Sequence, residues 1–279
     1  MDIRTKLVFA LVAVALSSML VLGWVMSTTA EGALQENRLE QLDGLAEVQK
    51  EALGQIFQGW MDRVRLLASR PPLMDALEEF NRSGDPEAAA RLEEILSDAV
   101  RVVDIVAGLA VYDPQRRQVA AAGRGVNGAP PMGAFSFSRP VAHGVYYQGI
   151  SGNGNGTSAP RVGFLADLAT REGLLLGSLY VNLSALGLRE LADGALGLGE
   201  TGETLVVALN REGDPRILLR SGPESGAEWN VTPEDPTRGP VRLALAGEAG
   251  VYSQGITDED GTPVWVAVTF LPEADWGLV

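Results

Sequence analysis

The sequence predicts an α+β protein: an N-terminal transmembrane helix continuing into a long stalk helix, then two tandem modules with antiparallel sheets. Three observations carry this. Leu7 to Ser27 contains no charged residue, and that length suits an α-helix crossing the hydrocarbon core of a bilayer. Glu31 to Arg70 is rich in helix formers, with apolar positions three and four apart. After Asp104, short β-rich runs alternate with Gly-, Asn- and Pro-rich turns, and the pattern occurs twice.

Arg4 and Lys6 precede the apolar run and place the N-terminus in the cytoplasm. Trp24, near the far end, suits the interfacial aromatic belt. Ser27–Ala30 would also serve as a small-residue cleavage site, but the length of the apolar run and its continuity with a helix favour an uncleaved anchor. Everything from about residue 30 onward is then expected to lie outside the cytoplasm. The divisions that follow are 1–29 for the cytoplasmic tip and membrane helix, 30–70 for the stalk, 71–195 for the first module with a linker helix, and 196–279 for the second.

Composition narrows the function. A net charge of −14 without a long basic cluster is a poor match for a phosphate backbone, so nucleic acid is disfavoured. The absence of cysteine removes disulfides, thiolate zinc sites and cysteine nucleophiles. The hydrophobic content of 46% supports a packed core.

In the stalk, Leu42, Leu45, Ala46, Leu53, Ile56, Trp60, Val64 and Leu67 form the apolar stripe. It needs a partner: the following domain, a second copy of the helix in a homodimer, or both. Pro71-Pro72 ends it. Helices follow over Leu73–Phe80 and EAAARLEEILSDAVRVV, then strands in IVAGLAVYD, PQRRQVAAAG, SFSRPVAHGVYYQGI, PRVGFLADLAT and GLLLGSLYVNLS. Short connections make these an antiparallel meander. Ser184–Ala195 reads as a helix leading away. In the second module TLVVALN and PRILLRS form a hairpin, RGPVRLALAGEAG a short helix, and GVYSQGI pairs with PVWVAVTFL across Asp258–Gly261. The sequence stops at Ala-Asp-Trp-Gly-Leu-Val, inside a strand, which implies that the protein continues.

Gly197-x-Gly199-x-x-Gly202 has the spacing of a dinucleotide loop. Such a loop joins a strand to a helix whose N-terminus holds the pyrophosphate. Here a helix precedes and a strand follows, so Gly199 and Gly202 are expected to shape a tight turn into that strand.

Three stretches resemble the extracytoplasmic double Cache sensor domain of bacterial transmembrane receptors, such as sensor histidine kinases. GLGETGETLVVALNREG is similar to the Gly-x-Thr-Gly-Glu turn opening that family's second module. DGTPVWVAVTFLPEADWGLV is similar to its closing hairpin with Trp-Gly-x-Val, and GLLLGSLYVNLSALGLREL to the last strand of its first module with the linker helix. The resemblance covers roughly residues 30–279 and implies two PAS-like modules, one membrane-distal and one membrane-proximal. It also implies a setting in a bacterial inner membrane with the bulk of the chain in the periplasm or extracellular space, small-ligand sensing, and an output region beyond the second membrane helix: a histidine kinase, diguanylate cyclase or chemoreceptor module.

The catalytic inventory supports a non-enzymatic segment. His143 is the single histidine, and no Gly-x-Ser-x-Gly elbow exists. Histidine-cluster metal sites are excluded by count. Asp258, Glu259 and Asp260 read as a solvated hairpin tip, and Glu200 with Glu203 lacks any sign of a glycosidase cleft. No cofactor is implied. In the distal module a ligand site would draw on Tyr112, Arg124, Phe137, Arg139, Tyr146, Tyr147 and Asp167. Guanidinium groups clamp carboxylates, aromatic faces pack a ligand body, and an acid takes an ammonium. The same tyrosines could be core and the arginines surface. The family's amino-acid-recognising members carry Arg-x-Trp-Tyr; the counterpart here is Ser138-Arg139-Pro140, which points to another carboxylate or to no direct ligand. The alternative from another class is a membrane-tethered or secreted binding protein without signalling output.

Overall fold

Helix α1 runs unbroken from Ile3 to Ala68, so the apolar N-terminal run and the stalk are one helix. The computed structural model describes residues 3–126, 139–142, 144–151, 161–170, 172–185, 188, 202–209, 213–221, 238–253, 256–257 and 262–279. The two halves of α1 have different surroundings. Met19, Leu20, Leu22 and Trp24 are exposed, whereas Ala46, Gln49, Leu53, Phe57, Trp60, Val64 and Leu67 are buried. The buried stripe keeps the three-and-four spacing but is rotated from the expected one. Phe57 and Gln49 sit at its centre, and Leu42, Leu45 and Ile56 are half-buried. Its partner is the chain's own pair of sheets. Among the described residues, no helix is long and apolar enough to cross a membrane.

Pro71 and Pro72 occupy the first turn of α2 (Pro71–Ser83), where the missing N–H groups cost nothing. They therefore open one helix as well as ending another. Helix α3 (Pro86–Val102) starts at Asp85, whose carboxylate accepts from the Glu87 N–H at 2.9 Å.

The first sheet comprises β1 (Val106–Tyr112), β2 (Gln118–Gly123), β3 (Arg139–Ala142), β4 (Val145–Ser151), β5 (Arg161–Ala169) and β6 (Leu175–Ser184), in the order β2-β1-β6-β5-β4-β3. Every pairing is antiparallel. One expectation is corrected: the run over Ser136–Ile150 is not one strand. It contains two, β3 and β4, folded back on each other. Gly144 takes φ +70° between them, a conformation glycine adopts without steric cost. Most of the expected linker helix, Ser184–Ala195, lies outside the described residues.

The second sheet comprises β7 (Thr204–Leu209), β8 (Pro215–Ser221), β9 (Gly250–Tyr252), β10 (Val266–Leu271) and β11 (Trp276–Leu278), in the order β8-β7-β11-β10-β9, with α4 (Arg238–Leu245) between β8 and β9 in sequence. A strand, β7, follows Gly202, so no helix is aimed at a phosphate there; Gly197 and Gly199 lie outside the described residues. The hairpin tip Asp258–Gly261 also lies outside them, and Thr257 bridges Pro263 across it. Both sheets follow one plan: the first two strands form a hairpin, and the last strand returns beside the first.

The faces are covered differently. The first sheet packs one face on α1, α2 and α3, through residues such as Phe57, Leu77, Leu92 and Leu96. The second lies between α1 on one side and α4 on the other, where Val241 meets Leu205, Val207 and Ile217. Gly277 permits the second contact. A Cβ there would lie 2.8 Å from that of Ala244 in α4 and 3.0 Å from the Val207 side chain, too close to tolerate.

Candidate functional site

Strand alternation sorts the first sheet into two faces. Towards the helices point Leu109 and Val111 of β1, Val145 and Tyr147 of β4, Phe164 and Ala166 of β5, and Val181 and Leu183 of β6. The far face gathers Ala110, Tyr112, Leu165, Tyr180 and Tyr146 with Val126. No described helix contributes to it. Between these apolar groups, the same alternation places Gln148, Asp167 and Asn182. Gln148 is 4% exposed and Asn182 1%. Polar side chains withdrawn from water to that degree need partners, from protein, water or ligand.

At one end of the face, the Tyr146 hydroxyl donates to Oδ2 of Asp167 at 3.1 Å. The carboxylate holds the phenol's pKa above its ordinary value, first by that hydrogen bond, then by its charge, with burial adding less. Burial, and next the neighbouring Tyr180, raise that of Tyr112. Both phenols therefore stay protonated at neutral pH. At the other end, Asn182 Nδ2 donates to the Arg124 carbonyl at 3.5 Å, and the Arg124 N–H donates to the Ala107 carbonyl at 2.7 Å.

Of the candidates named from sequence, Tyr112, Tyr146 and Asp167 share the far face, and Arg124 lies exposed where β2 ends. Arg139 lies in β3, in register with Tyr147; its side chain and Phe137 fall outside what the structure describes. Tyr147 does not join the others. It is buried on the helix-facing side, stacks edge-on to Phe57 at 5.6 Å, and accepts a hydrogen bond from Trp276 Nε1 at 3.0 Å. Burial raises its pKa, with the indole N–H working the other way. Phe57 also lies 5.6 Å from Phe164 and 5.5 Å from Trp276. One aromatic cluster thus joins the stalk, the first sheet and the last strand of the second.

Sequence reading missed Gln148 and Asn182. For Asn182 the signal was available: an amide in the otherwise apolar run LYVNLS, in phase with Tyr180. His143 lies outside the described residues. Glu203 forms an ion pair with Arg220, and among the described residues no group of acids and histidines is arranged to hold a metal.

No protein-family model and no curated protein matches the chain. Its architecture, two antiparallel sheets strung along one long helix, is similar to that of the sensory domains of two bacterial chemoreceptors and a histidine kinase. The sensory domain of the Campylobacter jejuni chemoreceptor Tlp3 (CcmL) with isoleucine bound superposes with a TM-score of 0.57 at 11% identity, over 88% of this chain and 93% of that one. The periplasmic sensory domain of C. jejuni Tlp1 gives 0.53 at 16% identity, over 88% and 94%. The sensor domain of the V. cholerae histidine kinase DctB gives 0.53 at 12%, over 88% and 96%.

Proposed function

We propose that the chain is the extracytoplasmic input domain of a bacterial transmembrane receptor, and that it senses a small organic ligand on the far face of the first sheet. The observation that carries this reading is the combination on that face of the Tyr146–Asp167 pair with the buried amides of Gln148 and Asn182. A face built only for packing would be apolar. Arg124, Phe137 and Arg139 remain candidates at its margin, whereas the position of Tyr147 suits transmission better than contact. The segment itself has no catalytic role in this reading.

Residues 7–27 serve as the membrane anchor, supported by the uncharged run and by the exposed Leu20, Leu22 and Trp24. Residues 30–70 form the stalk, 71–195 the membrane-distal module and 196–279 the membrane-proximal one. The exposed Leu34, Val48 and Leu66 of α1 give a second copy of the stalk an apolar surface in a homodimer. Transmission follows from adjacency. Tyr146 and Tyr147 are consecutive in β4, one facing the ligand side and the other bonded to Trp276. A ligand that favours one setting of β4 shifts the population of settings of β11 and α1.

The test is a thermal-shift screen of the full chain in detergent against organic acids, amino acids, amines and purines. Amino acids earn a place because isoleucine occupies the similar Tlp3 domain. A dose-dependent rise in melting temperature that Asp167→Asn or Tyr146→Phe abolishes supports the reading. A stabilising compound unaffected by both substitutions counts against this site.

A further inference from the structure

The seam between the stalk and the second sheet holds a polar contact that packing alone does not require. Val206 and Ala208 of β7, Leu271 of β10, and Trp276 and Leu278 of β11 share one core with the stalk residues Leu53, Phe57 and Trp60. Alternation puts Thr204 on the same face of β7 as Val206. Gln49 is the polar member of the buried stalk stripe, only 8% exposed, and Thr204 is 4% exposed. Gln49 Nε2 donates to Thr204 Oγ1 at 3.3 Å, and that hydroxyl faces Gln49 Oε1 at 3.4 Å. An amide and a hydroxyl each offer a donor and an acceptor, so each supplies what burial takes from the other. The strand beneath is held on both sides: Thr204 pairs with Ser221 of β8, and Leu205 exchanges two backbone hydrogen bonds with Val279.

The contact sits where a slide is geometrically available. Helix α1 and β10 run side by side in the same direction. Arg38 lies over the ring of Trp265, just before β10, at 5.8 Å from its centroid. A Cβ at Gly54 would lie 3.6 Å from the side chain of Leu271, where β10 ends. Arg38 to Gly54 is about 24 Å along a helix, and Trp265 to Leu271 about 20 Å along a strand. A slide of one helical turn, about 5 Å, would set Leu53 or Leu45 against Thr204. The amide and the hydroxyl would both be stranded among apolar side chains, at the full cost of their desolvation. One polar residue in an apolar helix seam fixes the register of coiled coils by the same means. The first sheet meets the stalk differently, through Phe57 against Tyr147 and Phe164, both at 5.6 Å. Ring contacts hold over centroid separations of about 4.5–7 Å and specify no register.

We propose that Gln49 and Thr204 pin the stalk in a single register on the second sheet, so that the two move as one body. Displacement is then taken up where the stalk meets the first sheet, across the rings of Phe57, Tyr147 and Phe164. Motion reaches the N-terminal half of α1 as movement of the stalk together with the second sheet, and not as the stalk sliding past it.

The chain has no cysteine, so Glu36→Cys in the stalk and Glu273→Cys beyond β10, both at exposed positions, provide one spin-label pair spaced mainly along the helix axis. Labelled full chain in detergent, diluted into unlabelled chain, is expected to give a single narrow distance by pulsed electron spin resonance. With Gln49→Leu and Thr204→Val together, that distance should broaden or gain a second maximum about 5 Å away, one helical turn. Either substitution alone should lower the melting temperature more than the pair does, because only the single variants leave a polar group stranded. Gln49→Met, which keeps the length of the side chain, should broaden the distance by itself and serves if the double variant fails to fold. Two maxima in the chain with Gln49 and Thr204 intact would overturn the proposal. So would a narrow, unmoved distance in the variants, or losses in melting temperature that simply add. No ligand enters the measurement, so either result leaves the sensor reading untouched.

Discussion

The two sheets share a strand plan and differ in what covers them. The second is closed on both faces: α1 supplies Phe57 and Trp60 on one side, and α4 supplies Val241 and Ala244 on the other. The first is closed by helices on one face, while the other holds buried amides and a Tyr–Asp pair beside aromatic rings. On the proposed reading, the covering of each sheet rather than its topology decides which module receives a ligand. A sheet packed on both sides passes displacement on, because a close-packed interior transmits strain. A sheet with one polar face can register a ligand.

The largest effect should come at the junction. Trp276 is 1% exposed and touches Phe57, Trp60 and Tyr147, so Trp276→Ala should cost about 3–5 kcal/mol in urea unfolding and loosen both modules together. Separate transitions in which the first module is unaffected would break the picture of a shared core. Next comes Gly277→Val, which should cost about 1–3 kcal/mol by forcing α4 off β11 while leaving ligand binding in place.

Tyr147→Phe should cost about 1 kcal/mol at neutral pH, since it strands the Trp276 N–H in the core. Its pH dependence sharpens the point. The folded pKa of Tyr147 is raised above the ordinary 10.0, so its contribution is complete below that value and declines as pH rises through it, where the unfolded chain releases the proton first. The stability gap between wild type and Tyr147→Phe should therefore narrow from about pH 9 to about pH 11. A constant gap would contradict the burial argument. The smallest stability change belongs to Asp167→Asn, within about 0.5 kcal/mol for a half-buried residue, yet it should abolish the thermal shift given by the stabilising compound. Large destabilisation without any effect on binding would assign that face to packing.

Much of the fold was legible in the sequence. Periodicity gave the stalk its length and the strands their places, because alternation and three-to-four spacing are local properties. What escaped was set by distant partners. The stalk stripe was read without Phe57, because its central position comes from three rings supplied by β4, β5 and β11. Tyr146 and Tyr147 are equivalent as candidates by composition; alternation puts them on opposite faces, and which face meets the helices is set only by packing against α1. Arg161 carried no signal of its own. Register makes Asn182 its diagonal neighbour, and the turn after β2 brings Gly125 against both.

Hydrogen–deuterium exchange of the full chain, with and without the compound that most raises its melting temperature, tests the central claim most directly. Binding on the first sheet with transmission through Tyr147 and Trp276 predicts slower exchange in β4, β5 and β6, accompanied by a change in β11 and in α1 around Phe57. Protection confined to the second sheet, or a response in the first that stops short of β11, would contradict it.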